Sequence, residues 1–506
     1  MNAHPKHLVG FSVLLMLLGL QACTTVNVDI PTLQAELPQQ FDSVAPRPLD
    51  GDQADTSRWW QTLNDPVLSE FIEEGLRNNT DVRVALARIK EARAYLGVAE
   101  SAYYPTVDAQ MGADRSRQTG TMPPQSMGLI SSPLPVPMPS SSLNPNTGMP
   151  LGNTTAAGLN ATWEVDVFGA RHSDAEMVHQ LVLGAQEQKH GAQLLVASDI
   201  ATHYFEARGA ERRLEVLQRG VDVAKRLNKY AEGRFKAGQT NASEVDRALL
   251  QVDFTQAQVE PLRALLASHV RRIAVLMGRP PQGLQSLPAQ PASARLPPSL
   301  PSVLPSDVLE RRPDVRGAAR KLRSQAAKLG SAKAELMPKF YIGFGGLAGR
   351  FHPDNQDGSN FSTQMLGIGV RLPIFDAGRI RSNIAANQAQ LEGLAAQYEQ
   401  SVLTALEDVE NAYTAQRAFE VRHELVLRAA TLARRVADHK NSLFVSGQDL
   451  LQPALEAEAT ALQRADDAVQ SETSRSLYTV LLYKALGGGW SSSKDEMAAP
   501  SMKTAK

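Results

Sequence analysis

Thr363-Gln-Met-Leu-Gly-Ile-Gly-Val-Arg-Leu-Pro-Ile-Phe375 opens a stretch, running to Gln452, in which the character of the whole chain is legible. Leu366, Ile368, Val370, Leu372 and Ile374 alternate with Gly and Arg, which gives a strand one apolar face. From Arg379 the period changes. Ile384, Leu391, Leu394, Tyr398, Val402, Leu406, Val409 and Tyr413 recur at spacings of about three, four and seven, and no proline stands between Pro373 and Pro453. A strand leads into a helix over 379–445, roughly 100 Å long at about 1.5 Å per residue. Globular domains seldom need such a rod.

The same design occurs earlier in the chain. Leu159, Ala161, Trp163, Val165 and Val167 share one strand face, which passes through Phe168-Gly-Ala-Arg171 into a second proline-free rod reaching Pro261. Asn79-Thr-Asp-Val82 aligns with Arg312-Pro-Asp-Val315, and Tyr104-Pro-Thr-Val107 with Met337-Pro-Lys-Phe340, at one offset. At a shorter offset Arg234-Phe-Lys-Ala-Gly-Gln239 aligns with Leu443-Phe-Val-Ser-Gly-Gln448, and Leu276-Met-Gly278 with Ala485-Leu-Gly487. A loop insertion in the first half accounts for the difference, and a Pro-, Ser-, Met- and Gly-rich segment supplies it. The chain is therefore read as a tandem duplication. Repeats span 65–280 and 306–490, with strands near 106–116 and 157–167, then 339–349 and 364–375. The long loop is 117–156, the linker between repeats 281–305, and 491–506 a loose tail.

Composition removes several classes of function. The 506 residues carry 52 Lys and Arg against 53 Asp and Glu, too even a balance for a phosphate-binding surface, so no nucleic-acid partner is expected. With 43% hydrophobic residues the chain is not an acidic disordered one either. Residues 1–22 have the form of an export signal: His4, Lys6 and His7 precede an apolar run from Leu8 to Leu20 that is too short for a stable membrane anchor. Leu20-Gln-Ala-Cys23 resembles a bacterial lipobox, whose Cys is acylated and becomes the new N-terminus, although Gln21 replaces the preferred small residue. The alternative is that Cys23 is only a small buried hydrophobe. It is the single cysteine, so disulfides within one chain are impossible. Residues 23–64 then form a lipidated N-terminal arm, and Thr24 after the Cys, by resemblance to lipoprotein sorting rules, favours the outer membrane.

Four strands of about ten residues, each with one apolar face, suit tilted strands that cross a bilayer's hydrocarbon core. Four alone cannot close a barrel, and open edges leave N–H and C=O groups unsatisfied in lipid. Several copies must share one barrel, and the apolar stripes of the rods call for the same assembly. A soluble sheet and a fibrous coiled coil are the alternatives, and neither explains why a strand runs into a rod twice.

Trp59-Trp60 before Asp65-Pro66-x-Leu68, Asn79-x-Asp81 with Ala85 and Arg88, Ala99-x-x-Ala-x-x-Pro105, Phe168-Gly-Ala-Arg171 and Phe375-Asp-Ala-Gly-Arg379 together resemble the outer-membrane efflux ducts of the TolC and OprM type, in their lipidated NodT branch. The resemblance runs from Cys23 through Gly487. It implies an α+β membrane protein: a homotrimer with a twelve-stranded outer-membrane β-barrel, four strands per chain, continuous with a long α-helical periplasmic barrel. It also implies docking to a periplasmic adaptor (membrane fusion) protein and an inner-membrane efflux pump, contact with outer-membrane lipids, and no cofactor beyond a diacylglycerol and N-acyl chain on Cys23. The function expected is a passive exit duct for small toxic compounds. A duct for type I protein secretion and a pore-free periplasmic adaptor are the alternatives.

No enzyme constellation stands out. His172 and His179 lie two turns apart without a third ligand, and Gly343-Phe-Gly-Gly346 lies in a strand, where glycine permits curvature rather than cradling phosphate. At the turns that end the rods, Gly238 and Gly447 suit left-handed C-terminal caps. By the resemblance these turns form the periplasmic mouth, closed by an apolar constriction and a ring of acids. Glu456 takes the place of the family's inner acid and Asp449 that of an acid in some members. Leu451 would supply the constriction, although strict register falls on Gln452. Glu244 and Asp246 are the candidates in the first repeat. Symmetry-related carboxylates around one axis repel one another and attract cations, giving a cation-selective, pH-sensitive mouth. Ordinary solvated helix-end acids are the alternative, and for Asp449 a plain cap.

Overall fold

The computed structural model describes residues 28–32, 38, 40–42, 56–116, 152–289, 303, 305–353 and 357–490. Cys23, the expected signal, most of the arm, the tail, most of the linker and all but the last residues of the expected 117–156 loop lie outside them. The elements, in order, are a 3₁₀ turn Trp59–Leu63, α1 (Pro66–Asn78), α2 (Thr80–Ser101), β1 (Thr106–Ser116), β2 (Gly152–Val165), α3 (Ala170–Lys236), α4 (Ala242–Ala257), α5 (Val259–Leu276), α6 (Pro305–Arg311), α7 (Pro313–Ala334), β3 (Lys339–Pro353), β4 (Ser359–Arg371), α8 (Arg379–Val445) and α9 (Leu451–Ala485). The duplication is visible in these lengths. Helices α3 and α8 have 67 residues each, and α2 and α7 have 22 each. Two compact units emerge, one of Met1–Thr32, Lys90–Leu183 and Arg320–Ala396, the other of Leu33–Ile89, Gly184–Ala319 and Gln397–Lys506.

The first unit holds an antiparallel sheet in the order β1-β2-β3-β4. Register sorts its side chains by chemistry. Val107, Ala161, Phe344 and Leu366 form one cross-strand row, and Trp163, Ile342 and Ile368 another on the same face. The opposite face carries Thr106, Thr162, Gly343 and Gly367, then Asp108, Asn160, Gly345 and Met365. Val107, Phe344, Leu366 and Ile368 are exposed, so the apolar face has no cover among the described residues. Among the described residues, no helix is long and apolar enough to cross a membrane.

The strand ends differ from expectation. β2 begins at Gly152 rather than 157, and β3 runs to Pro353 rather than 349, because Asn153, Thr154 and Thr155 extend the ladder through main-chain pairing with His352, Phe351 and Arg350. These polar ends carry no hydrophobic alternation to reveal them. β4 spans 359–371 rather than 364–375, since Pro373 cannot donate to a ladder and restricts Leu372 before it. The strand-to-rod passage is a tight turn rather than a straight run. Ala377 and Gly378 have φ of 53° and 85°, and the Asp376 carboxylate accepts from the Gly378 and Ile380 amides at 3.0 and 2.9 Å. The Ile380 and Gly378 amides hold that carboxyl below its usual range. At the first junction Gly169 has φ 77°, and Asp166 accepts from the His172 amide at 2.8 Å.

The second unit carries the main core. Trp59, Leu68, Ile72, Ile200, Tyr204, Ile273 and Met277 are fully buried in one cluster, with Trp59 stacked on Tyr483 at 5.1 Å between ring centroids. Helix α1 begins at Asp65, whose Oδ1 accepts from the Val67 and Leu68 amides at 3.1 and 3.2 Å while Pro66 occupies the first helical position. Its other oxygen accepts from the Tyr204 hydroxyl at 2.6 Å, which joins the cap to α3. Burial, then the Asp65 carboxylate, keep this phenol protonated far above its ordinary range.

The repeats share a device at their helix ends. Gly278 and Gly487, with φ of 78° and 75°, end α5 and α9; a Cβ would collide with Asn78 O at Gly278 and crowd the Arg311 backbone at Gly487. Asn79 donates to Leu276 O at 2.8 Å, while Arg312 donates to Ala485 O at 3.4 Å and pairs with Asp314 and Asp408 at 2.6 and 2.9 Å. The repeats diverge where α4 and α5 break at Gln258, because Pro261 has no amide to bond back; Pro453 interrupts nothing in the first turn of α9. Tyr204→Phe should lower unfolding stability by about 1.5–3 kcal/mol by removing a buried hydrogen bond to the charged Asp65 carboxylate. An unchanged thermal midpoint would dismiss that bond as a determinant.

Candidate functional site

Both rods end in the same turn, within the second unit. After α3 the Gly238 amide donates to Phe235 O at 2.9 Å and the Gln239 amide to Arg234 O at 2.8 Å; after α8 Gly447 donates to Phe444 O and Gln448 to Leu443 O at the same two distances. With φ of 64° and 74° at the glycines, these are Schellman caps. Nothing approaches where a Cβ would stand on either glycine, so backbone conformation alone asks for glycine there.

The following helices start differently. Asn241 caps α4 by accepting from the Glu244 amide at 3.2 Å, whereas Leu450, its counterpart before α9, offers no side-chain cap. Asp449 instead accepts from the Leu450 amide at 2.8 Å and from Lys440 Nζ at 2.9 Å. Lys440 first, then the Leu450 amide, holds the Asp449 carboxyl below its usual range.

The predicted residues separate by environment. Glu456 is exposed on α9, and its Oε1 accepts from Gln452 Nε2 at 2.9 Å. Glu244 pairs with Arg247 at 3.2 Å, and Asp246 is exposed. Leu451 packs on the cluster of Val216, Val223, Leu455 and Leu462, while Leu450 beside it is 62% exposed and Val445 across the turn 76% exposed. Sequence reasoning missed Leu450 and Lys440. The alignment of Leu450 with Asn241, an apolar residue where a cap belongs, was the available signal. His172 and His179 are not brought together in one site, and His179 lies 3.5 Å from Glu176.

Behind this turn the repeats are joined by charge. Arg212, Arg213 and Arg226 of α3 meet Glu472, Asp466 and Glu458 of α9 at 2.7, 2.8 and 2.7 Å, and Arg475 of α9 meets Glu420 of α8 at 2.6 Å.

A family model described as "Outer membrane efflux protein" matches residues 71–279 and 304–488, most of both repeats. The chain belongs to this family. This efflux protein is 26% identical over 452 residues to the pyoverdine export outer membrane protein OpmQ of Pseudomonas aeruginosa, covering 88% of this chain and 90% of that protein. It is 26% identical over 450 residues to nodulation protein T of Rhizobium leguminosarum bv. trifolii, covering 85% and 88%. The outer-membrane channel OprN superposes with a TM-score of 0.74 at 25% identity, over 93% of this chain and 100% of that one. The CmeC outer membrane channel of Campylobacter jejuni does so with a TM-score of 0.77 at 20% identity, over 94% and 97%. The efflux protein is thus an outer-membrane channel protein and not an enzyme, and the fold class expected from its sequence holds.

In the efflux protein the Lys440–Asp449 pair stabilises the start of α9 above the ordinary carboxylate pKa, and that contribution is lost as pH falls through the depressed value. Lys440→Met should therefore speed amide exchange at Leu450 and Leu451 at neutral pH, and bring the acid-induced loosening to higher pH. Exchange matching the wild type across the acid range would show the pair to be idle.

Proposed function

We propose that the chain is the exit duct of a tripartite efflux system, passively conducting small toxic compounds delivered by an inner-membrane pump through a periplasmic adaptor. The observation that carries this reading is the four-stranded sheet that, among the described residues, has free edges at β1 and β4, an uncovered apolar face and a largely polar, glycine-rich opposite face. In lipid such a sheet is satisfied only by joining copies of itself. A homotrimer gives twelve strands around a lumen lined by the polar face. Acylation of Cys23 adds a lipid anchor. The names of relatives at similar identity support export of small molecules: pyoverdine for one, toluene for another in Pseudomonas putida, antibiotics for a third.

The turns after α3 and α8 form the periplasmic mouth of this duct. Exposed Glu456 and Asp246 are the acids open to passing ions, since Asp449 is engaged by Lys440 and Glu244 by Arg247. Leu450 rather than Leu451 supplies the apolar constriction, because Leu451 is committed to its own chain.

Detergent-extracted protein should sediment as a trimer and conduct ions in planar bilayers, with Glu456→Gln weakening cation preference. A monodisperse monomer would defeat the shared barrel, and an unaltered reversal potential in the variant would return Glu456 to the helix surface. For the anchor, Cys23→Ser should lose the mass of the acyl chains and fractionate away from the membrane when the barrel is unassembled; identical mass and fractionation would refute acylation.

A further inference from the structure

His203 and Glu206 lie one turn apart on α3, and His269 reaches them from α5. The two Nδ1 atoms are 3.0 Å apart; Glu206 Oε2 is 3.2 Å from His203 Nδ1 and 3.0 Å from His269 Nδ1. Three lone-pair-bearing atoms thus make a nearly equilateral triangle. Protons on the two rings cannot satisfy all three edges at once. With both rings protonated on Nε2, three lone pairs face one another; with one Nδ1 protonated, one or two contacts become hydrogen bonds and a nitrogen lone pair still faces the carboxylate; with both, two N–H groups collide at 3.0 Å.

A cation above the triangle satisfies all three edges together. For metal–ligand bonds of about 2.1 Å, ligand edges come to about 3.0 Å in octahedral and about 3.4 Å in tetrahedral geometry, and the triangle falls at the lower end of that range. The backbone is already fixed for this purpose. Tyr204 and Ala207 on α3 and Val270 and Ile273 on α5 are buried in the main core beside the three ligands. His203 and Glu206 remain 28% and 32% exposed, which leaves an entry path and room for water as a further ligand.

We propose that His203, Glu206 and His269 form a binding site for a divalent transition-metal ion. Two imidazoles and a carboxylate, without thiolate or thioether, suit Zn²⁺, Cu²⁺ or Ni²⁺ rather than soft monovalent ions. The bound ion clamps α5 to the long helix α3, and so stabilises the folded chain by mass action.

The test uses untagged, chelator-stripped full-length protein in detergent, titrated calorimetrically with Zn²⁺ and spectroscopically with Co²⁺. The expected result is one ion per chain, a Co²⁺ ligand-field spectrum characteristic of nitrogen and oxygen ligands, and a thermal midpoint raised by Zn²⁺. Glu206→Gln and His269→Ala should each weaken Zn²⁺ binding at least about tenfold. The His172→Ala/His179→Ala double variant should bind as the wild type does. Glu206→Gln keeps the shape of a partly exposed side chain, so its folding is checked by an unchanged thermal midpoint in chelator. Absence of stoichiometric binding in the wild type, or wild-type affinity in folded Glu206→Gln, overturns the site.

Discussion

Backbone hydrogen bonding at the sheet edges is the constraint on which the rest of the structure depends. Among the described residues β2 and β3 are paired on both sides, while β1 and β4 each have one bare edge. Those groups cannot be left unsatisfied in hydrocarbon, where each costs several kcal/mol, and a folded-back loop cannot cover them there. The apolar face from Val107 to Leu366 sets the medium, and the edges then set the requirement for further copies. Curvature follows from the glycines. Gly343, Gly345 and Gly367 lie on the polar face, where absent side chains let strands bend inward as the wall closes.

The duplication solves a second problem, that of holding rods of 67 residues in register. Each repeat anchors its rod through the same local grammar: a glycine ends the returning helix, and a polar side chain at the junction of that repeat's own first two helices takes one of the orphan carbonyls. In the first repeat Asn79 does so neutrally, and in the second Arg312 does so with its charge balanced by Asp314 and Asp408. The chemistry differs while the backbone geometry repeats, which shows that satisfaction of the helix ends is the shared requirement.

The periodic parts of this architecture are legible in the sequence because period is what burial selects. The 379–445 helix and the tip glycines can be read from spacing alone. Elements held by main-chain pairing with distant strands leave no such trace, hence the five extra residues at the start of β2. Proline worked in both directions. Pro373 ends β4 early and Pro261 marks the break between α4 and α5, yet Pro453 sits harmlessly in a first turn, so its effect depends on a position that periodicity alone does not locate. At the tip, acids could be identified but their partners could not: Lys440 lies two turns back on α8, and only the turn geometry brings it to Asp449. His203 and Glu206 have a spacing that a metal search would notice, whereas His269 lies on another helix and meets them only through packing.

The two ends of the second unit are not equally strong. Its main core joins the 3₁₀ turn, α1, α3, α5 and α9 through aromatic and branched side chains that are fully buried, and burial of each contributes about 1.5–3 kcal/mol. The tip has a small cluster of Val216, Val223, Leu455 and Leu462, reinforced by ion pairs such as Arg226–Glu458 whose partners are open to solvent. Pairs of that kind are worth little and are screened by salt. Local opening therefore costs least at the tip, where few buried contacts oppose it. Under the proposed function this tip is the mouth of the duct, and an end that must both close and admit cargo is best built from caps and solvated charges over a thin apolar layer, with the stable core placed elsewhere along the rods.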